Sequence, residues 1–213
     1  MDEQVLRSLI KWPNVPHCFG WLALDRRGQW RMRDEFAQAH HLAGNAIQHQ
    51  ALNEFIARNY AHDTKGRYFF QNGPQRVFIT LDKAPWVVRI TPSASKPGLM
   101  TQCQTPFTPH GALSDELGNI YITGLVKQTV DENGIESMPQ THPTVDQFMQ
   151  KDAYSIALLH DHDLDLFSDL AKLREEACSF GGSWIWDKEV LPLDPIHSEE
   201  LCERFGFVKN PVA

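Results

Sequence analysis

A four-residue turn motif, D-x-x-G, recurs along the chain between segments that read as strands. The aspartate of such a turn can accept hydrogen bonds from its own backbone, and the glycine can adopt a positive φ angle. In the first three copies a polar residue and then a strand-forming residue follow the glycine. The recurrence predicts a β-rich chain with repeated β-units. The motif stands at residues 25–28, 63–66, 115–118 and 131–134.

Residues 67–90 carry the densest strand pattern. Three runs of β-branched and aromatic residues, separated by turns at 72–74 and 82–85, predict a three-stranded antiparallel meander. Because side chains alternate along a strand, two faces follow. The apolar face contains Tyr68, Phe70, Val77, Ile79, Leu81, Trp86, Val88 and Ile90. The mixed face contains Arg67, Phe69, Gln71, Arg76, Phe78, Thr80, Val87 and Arg89.

Helices are predicted at 3–10, at 47–60, from about 164 to 178, and after Ser198 up to Gly206. The segment 91–111 is rich in Pro, Ser and Thr, which suits a crossing between two halves. The expected fold class is therefore α+β, with two β-rich antiparallel units, flanking helices and a duplicated pattern. The expected domains are residues 1–95, an N-terminal helix with the meander, and residues 96–213, an acidic C-terminal α+β unit.

Charge is unevenly divided along the chain. The formal net charge is −7, but residues 1–95 carry 12 Lys and Arg against 8 Asp and Glu, while residues 96–213 carry 8 against 19. The split indicates either that the halves dock electrostatically or that the first half meets an anion. An acidic chain argues against a nucleic-acid partner. With no apolar run of about 18 residues and an acidic start, we expect a cytoplasmic protein without a membrane partner.

Several segments of residues 20–90 carry a family resemblance. The Gly28-Gln29-Trp30 strand, the helix with Leu52 and Phe55, residues 63–70 and the turn 81–87 follow one another in order. This arrangement resembles an uncharacterised bacterial family with a G-x-W strand, a helix, a tyrosine-bearing strand and an acidic-Ala-Pro-aromatic turn. The resemblance implies a duplicated β-core, a C-terminal half similar to a pleckstrin-homology domain, and a role in signalling. It implies no catalytic residue.

The segment from His160 to Asp163 is the most metal-like cluster. Imidazole and carboxylate groups at a strand-to-helix turn could converge on a divalent ion, but acidic residues at a helix start are also explained by the helix dipole. The four cysteines show no C-x-x-C spacing and are expected as free thiols. The chain lacks a phosphate-binding loop, a nucleophile elbow and a dinucleotide fingerprint. We therefore assign no catalytic residue, cofactor or metal; a metal-dependent hydrolase using His160 and His162 is the alternative function.

The mixed face of the meander supplies the candidate binding residues, Arg67, Arg76, Phe78 and Arg89. Guanidinium groups can stack on aromatic rings or hold a carboxylate or phosphate with two hydrogen bonds. The face could dock the acidic second half, or it could bind a small anionic ligand or an acidic protein. The sequence thus favours a non-enzymatic ligand- or protein-binding regulatory module.

Overall fold

The computed structural model describes residues 1–91, 97–131, 148–173 and 181–213, with the side chain of Phe148 excepted. Within these ranges the chain is mostly strand. The strands are β1 (Cys18–Leu24), β2 (Trp30–Met32), β3 (Asn45–Ala46), β4 (Tyr60–Asp63), β5 (Tyr68–Asn72), β6 (Gln75–Leu81), β7 (Trp86–Thr91), β8 (Gly98–Thr101), β9 (Pro106–Ser114), β10 (Ile120–Asp131), β11 (Phe148–Leu159), β12 (Ala171–Leu173), β13 (Gly182–Trp186) and β14 (Glu189–Pro195).

The helices are short, at five to nine residues each. They are α1 (Glu3–Lys11), α2 (Glu35–Ala39), α3 (Gln50–Arg58), α4 (Leu164–Ser168) and α5 (Leu201–Phe205), with a 3-10 turn at Asp161–Asp163. The predicted helix at 164–178 is wrong in length, because α4 ends at Ser168 and β12 follows it; residues 174–178 lie outside the described ranges. Among the described residues, no helix has the length and apolar character needed to cross a membrane.

All fourteen strands join one mixed sheet. Their order is β12-β13-β14-β9-β8-β7-β11-β10-β4-β5-β6-β1-β2-β3, and β9 also pairs with β10. Strands β9, β8, β7, β11 and β10 therefore form a closed ring of pairings. Four neighbouring pairs are parallel: β1 with β6, β4 with β10, β7 with β11, and β9 with β14.

The predicted fold class, α+β with two antiparallel units and flanking helices, is wrong. The protein is a mostly β structure whose single sheet mixes parallel and antiparallel pairs. The local signals used above detect hairpins, whereas parallel neighbours are distant in sequence and leave no turn between them. Two of the parallel contacts, β4 with β10 and β7 with β11, also cross from the first half to the second.

The meander of residues 67–90 is only partly observed. β5 and β6 form the expected antiparallel hairpin, but β7 pairs with β8 and β11 while β1 lies on the free side of β6. The alternation of faces is confirmed for the hairpin: Phe70 and Ile79 belong to the main core, and Phe69 and Phe78 form a smaller cluster with Ala61. Val87 departs from the pattern, since it too lies in the main core.

Three D-x-x-G turns share one hydrogen-bonding arrangement. In each, Oδ1 of the aspartate accepts the backbone N–H groups two and four residues later, and the glycine has φ between 73° and 78°. The turns begin at Asp25, Asp63 and Asp115. The fourth copy, at 131–134, lies outside the described residues beyond Asp131. Local sequence therefore predicted these three turns correctly.

The Gly66→Ala substitution is expected to destabilise the protein much more than Gly118→Ala. Both glycines adopt positive φ, which costs an L-residue about 1–2 kcal/mol. At Gly66, a Cβ atom would also lie 2.0 Å from the carbonyl oxygen of Gly206, whereas at Gly118 it would meet no atom within 4 Å. Chemical denaturation of both variants measures the difference. Equal losses of unfolding free energy would show that the contact with the C-terminal segment is unimportant.

Candidate functional site

Arg67, Arg76 and Phe78 lie together at the small aromatic cluster, on the face of the β5–β6 hairpin opposite the main core. Phe78 is 1% exposed, stacks on Phe19 with ring centroids 4.6 Å apart, and packs edge-on against Phe69. The guanidinium group of Arg67 stands 5.1 Å from the Phe78 ring, and that of Arg76 stands 4.7 Å from the Phe69 ring. The stacking between arginines and aromatic rings that the sequence predicted is therefore present, but within a buried layer.

Arg67 and Arg76 contact carboxylates of the protein itself. Arg76 is 6% exposed, and its Nη2 atom forms an ion pair at 2.6 Å with Oδ2 of Asp131 of β10, which is fully buried. Arg67 forms an ion pair at 2.7 Å with Asp63, the aspartate of its own turn. Asp131 belongs to the acidic second half, so the Arg76 contact matches the reading in which this face docks the other half of the chain. The side chain of Arg67 is 17% exposed and that of Arg76 is 7% exposed, so both are largely removed from solvent.

Arg89 lies elsewhere, at the end of β7. Its Nε and Nη2 atoms donate to the two carboxylate oxygens of Asp163 at 2.7 and 3.1 Å, and the backbone N–H of Ile90 donates to the same carboxylate at 2.8 Å. The Arg89 side chain is 49% exposed, whereas that of Asp163 is 4% exposed. The carboxylate thus lies behind the guanidinium group and fixes its orientation, while the arginine faces solvent.

A second arginine, Arg27, reaches the same region from the turn between β1 and β2. Its Nε and Nη2 atoms donate to one oxygen of Asp161 at 3.0 and 2.8 Å, and its side chain is 55% exposed. Arg27, Arg89 and His160 line a cleft of about 280 Å³, together with Gly28 and residues of β7 and of the turn 101–104. We call this the arginine cleft. Sequence reasoning missed Arg27, although its place in the first D-x-x-G turn signalled a side chain that projects from the sheet.

His160 forms the inner part of the arginine cleft. It is 7% exposed, and its Nδ1 accepts the backbone N–H of His162 at 3.1 Å. Burial, followed by the positive charge of Arg89, lowers the pKa of His160 and favours the neutral ring. Burial alone would raise the pKa of Asp161, but the hydrogen bonds from Arg27 bring this pKa below its ordinary value. Asp161 is therefore ionised near neutral pH, where its ion pair with Arg27 is formed.

The metal-like cluster predicted at residues 160–163 is divided between two roles. One ligand atom each from His160, Asp161 and His162 lie within 4.8 Å of one another. Asp163 is directed to Arg89 and Ile90 instead, so it is not a member of this group. Among the described residues, the three-residue group is the one arrangement that could hold a metal ion.

Replacing Arg76 with methionine is expected to lower the free energy of unfolding by about 3–5 kcal/mol, because the buried carboxylate of Asp131 would lose its compensating charge. Adding Asp131→Asn to this variant should recover part of the loss. Arg7→Met, which removes an exposed pair on α1, serves as the matched control and should change stability by less than about 1 kcal/mol. A loss at Arg76 no larger than the control would contradict a docked interface.

The free energy of unfolding should decrease as the pH drops below 6.5, the ordinary pKa of histidine, and His17 should account for part of this decrease. Burial, then the charges of Arg76 and Arg67, lower the pKa of His17, which packs edge-on against Phe78. Below pH 6.5 the unfolded chain therefore binds more protons than the folded one, so acid favours unfolding. Urea denaturation between about pH 5 and 7.5 should show a shallower pH dependence for His17→Gln than for the wild type.

His197→Gln is the control for this measurement, because His197 is an exposed histidine away from the aromatic cluster. The lowered pKa of His160 leaves some pH dependence in both variants. If His17→Gln and His197→Gln gave the same dependence, the charge environment of His17 would not contribute.

Comparison with known proteins identifies a family but no activity. No curated protein matches the chain. A solved crystal structure of a DUF1285 family protein from Silicibacter pomeroyi DSS-3 is 18% identical, with 88% of this chain and 86% of that chain covered, but the TM-score of 0.40 is too low to carry an argument. Residues 1–212 match the family model described as "Protein of unknown function (DUF2946)". The expectation of an uncharacterised family is confirmed, and the chain belongs to this family of unknown function.

Proposed function

We propose that the protein is a binding module for a small anion that carries a carboxylate or phosphate group, and that the arginine cleft is its site. The observation that supports this is the pairing of Arg27 and Arg89 on one cleft, each held by an aspartate yet about half exposed. The volume of about 280 Å³ lies at the lower end of the range for drug-sized ligands, which suits a small molecule.

The guanidinium groups retain hydrogen-bonding capacity after their internal contacts. A guanidinium group carries five N–H donors. Within the described part of the chain, Arg27 and Arg89 each use Nε and Nη2, which leaves Nη1 of both without a hydrogen bond to the protein. Two planar donors with fixed orientation are a recurring way to bind carboxylate or phosphate. The aspartates supply that orientation and avoid the entropy loss of ordering a long side chain on binding.

A binding function is preferred to an enzymatic one, since no nucleophile paired with a base is found among the described residues that line this cleft. Within the same set His160 is the one histidine, and burial with the charge of Arg89 lowers its pKa and favours the neutral ring. Two other polar side chains of the cleft form hydrogen bonds with the backbone. Gln102 accepts the N–H of Val87 and donates to the carbonyl of Pro85, and the hydroxyl of Thr101 accepts the N–H of Thr105. Signalling, which the family resemblance implied, remains a prediction.

One observation favours the alternative, a metal-dependent hydrolase. Oδ1 of Asp161 is buried without a hydrogen bond among the described residues and lies 2.9 Å from Nδ1 of His160. Two acceptors in this position could share a cation. The lone pair of Nδ1 already accepts the His162 N–H, however, and the second oxygen of Asp161 binds Arg27. A metal ion bound between Nδ1 and Oδ1 would have to displace the His162 N–H and would lie close to the positive charge of Arg27, so anion binding is the better supported function.

Anion binding is tested by titrating the protein with inorganic phosphate and, separately, with succinate, while NMR follows the side-chain signals of arginine. We expect saturable shifts at Arg27 and Arg89 that weaken as the salt concentration rises. Arg27→Gln and Arg89→Gln should each weaken binding roughly ten- to hundredfold, the usual effect of a lost charge-assisted hydrogen bond. Arg7→Gln, which removes an exposed arginine on α1, should have no effect beyond the change in net charge.

The two anions distinguish a phosphate site from a carboxylate site. Absence of saturation with both, or equal effects of Arg7→Gln and Arg27→Gln, would contradict the proposal. Elemental analysis of the purified protein decides the alternative, because stoichiometric zinc or manganese that disappears in His162→Ala would favour the hydrolase.

A further inference from the structure

A second cleft, of about 440 Å³, lies between α4 and the turn that joins β9 to β10. Its walls are mostly apolar and come from strands, a helix and a turn. They include Ser114, Ile120, Leu164, Phe167, Ala171 and Leu193. The volume is within the range of small-molecule sites. We call this the apolar cleft; it is separate from the arginine cleft and does not depend on the function proposed for that site.

The strands around the apolar cleft have counterparts in the first half of the sheet, with matching register. In both places a D-x-x-G turn joins two antiparallel strands, and the first of these strands pairs in parallel with a later one. Leu24 pairs with Trp30 in the first half, as Ser114 pairs with Ile120 in the second. Leu24 also pairs with Leu81, as Ser114 pairs with Pro195. Finally, Tyr60 pairs with Phe70, as Ala171 pairs with Trp184.

Backbone hydrogen bonds outside the strands give the same correspondence. The N–H of Asp82 donates to the carbonyl of Leu24 at 3.0 Å, and that of Ile196 donates to the carbonyl of Ser114 at 3.0 Å. Likewise the backbone N–H of Gln71 donates to the carbonyl of Asn59 at 2.9 Å, and the backbone N–H of Ile185 donates to the carbonyl of Leu170 at 2.8 Å. The positions can therefore be compared residue by residue.

Three corresponding positions differ sharply in size. The first half has Leu24, Trp30 and Tyr60, all buried, and the Trp30 and Tyr60 rings contact each other with centroids 5.3 Å apart. The second half has Ser114, Ile120 and Ala171 at these positions, and all three line the apolar cleft. The first half thus fills this space with its own indole and phenol rings, whereas the described residues of the second half leave it open.

The remaining walls suit an aromatic ring. Phe167 and Trp184 are buried beside the cleft, with ring centroids 5.1 Å apart, and Phe167 is part of the lining. Aromatic rings pack well against each other in tilted or edge-on geometry. Among the described residues that line the cleft, no side chain is cationic.

The rim of the apolar cleft is acidic. Asp115 is buried and accepts hydrogen bonds from the backbone of Leu117 and Asn119 and from the hydroxyl of Tyr121. Glu116 is at the surface, where hydrogen bonds from Ser198 lower its pKa to about 2, so it is ionised near neutral pH. The two acidic side chains of the lining, above all the ionised Glu116 at the surface, disfavour a negatively charged ligand.

We propose that the apolar cleft binds an uncharged, planar aromatic small molecule of about the size of an indole or phenol ring. The side chains that occupy the corresponding place in the first half indicate both the size and the shape of the occupant. The acidic rim excludes the anionic members of this chemical class. Burial of the aromatic ring against Ile120, Leu164 and Phe167 supplies the driving force.

The experiment is a titration with indole, monitored through the methyl signals of Ile120, Leu164 and Leu193 by NMR. We expect saturable shifts confined to these methyl groups, with a Kd on the order of 1 mM or tighter for a ligand of this size. Ala171→Tyr places a tyrosine where the first half has Tyr60, and should weaken indole binding at least tenfold while leaving the unfolding midpoint unchanged or raised. Ile120→Phe is a second, smaller filling variant with the same expected loss of binding.

Val190→Tyr is the matched control, since Val190 is exposed on β14 outside the lining and should retain wild-type affinity. Indole-3-acetate should bind more weakly than indole, and Glu116→Gln should reduce that difference. The proposal is overturned if indole gives no saturable shift, if Ala171→Tyr and Ile120→Phe leave the affinity unchanged, or if Val190→Tyr weakens it as much as they do. None of these outcomes depends on anion binding at the arginine cleft.

Discussion

The aspartate carboxylates of the three D-x-x-G turns organise both the sheet and its clefts. Each carboxylate uses one oxygen for two backbone N–H groups of its own turn. The second oxygen binds a side chain that follows the turn: Arg31 for Asp25, Arg67 for Asp63, and Asn119 and Tyr121 for Asp115. Because both oxygens of each carboxylate are bound by the chain itself, the turn holds the residues around it in a fixed position.

Each turn has a different consequence. The first places Arg27 and Gly28 on the arginine cleft, and the third places Asp115, Glu116 and Gly118 on the apolar cleft. The middle turn lies against the C-terminal segment, where Gly66 accepts the N–H of Val208. The same local sequence thus forms two concave surfaces and one packed interface, and the difference comes from what approaches the turn from elsewhere in the chain.

The charge asymmetry of the sequence is expressed as specific ion pairs. Arg76 with Asp131, Arg89 with Asp163 and Arg27 with Asp161 all join an arginine of the first half to an aspartate of the second. Their environments differ, since the first pair is buried and the other two border a cleft. A buried pair contributes little net stability, because the loss of hydration offsets much of its Coulombic attraction. In the two partly exposed pairs, the guanidinium groups of Arg27 and Arg89 remain accessible to a ligand.

Sequence reasoning succeeded where the information is local. The turns at Asp25, Asp63 and Asp115, the helix at the N-terminus, and the opposite facing of Phe78 and Ile79 all follow from spacing over a few residues. Sheet order did not follow, because parallel neighbours such as β7 and β11 are joined by no local turn. Arg89 could be proposed from its strand, but neither its pairing with Asp163 nor the approach of Arg27 to the same cleft has a local signature.

The same limit explains why the apolar cleft is invisible in the sequence. Ile120 and Ala171 are ordinary strand residues, and nothing in their neighbourhood indicates a missing side chain. The cleft becomes apparent only when the two parts of the sheet are compared in register, where Trp30 and Tyr60 occupy the corresponding positions.

The short segment from His160 to Ser168 connects the two clefts. His160 lines the arginine cleft and Asp163 orients Arg89, while the next residue, Leu164, already lines the apolar cleft together with Phe167. A displacement of this segment by a ring bound beside Phe167 would therefore move the carboxylate that holds Arg89. Since the bond between Asp163 and the Ile90 backbone ties the segment to β7, any such movement must also strain the sheet. The two clefts thus share no described lining residue, but both are built partly from residues 160–168. The stiffness of this segment determines whether binding at one cleft affects the other.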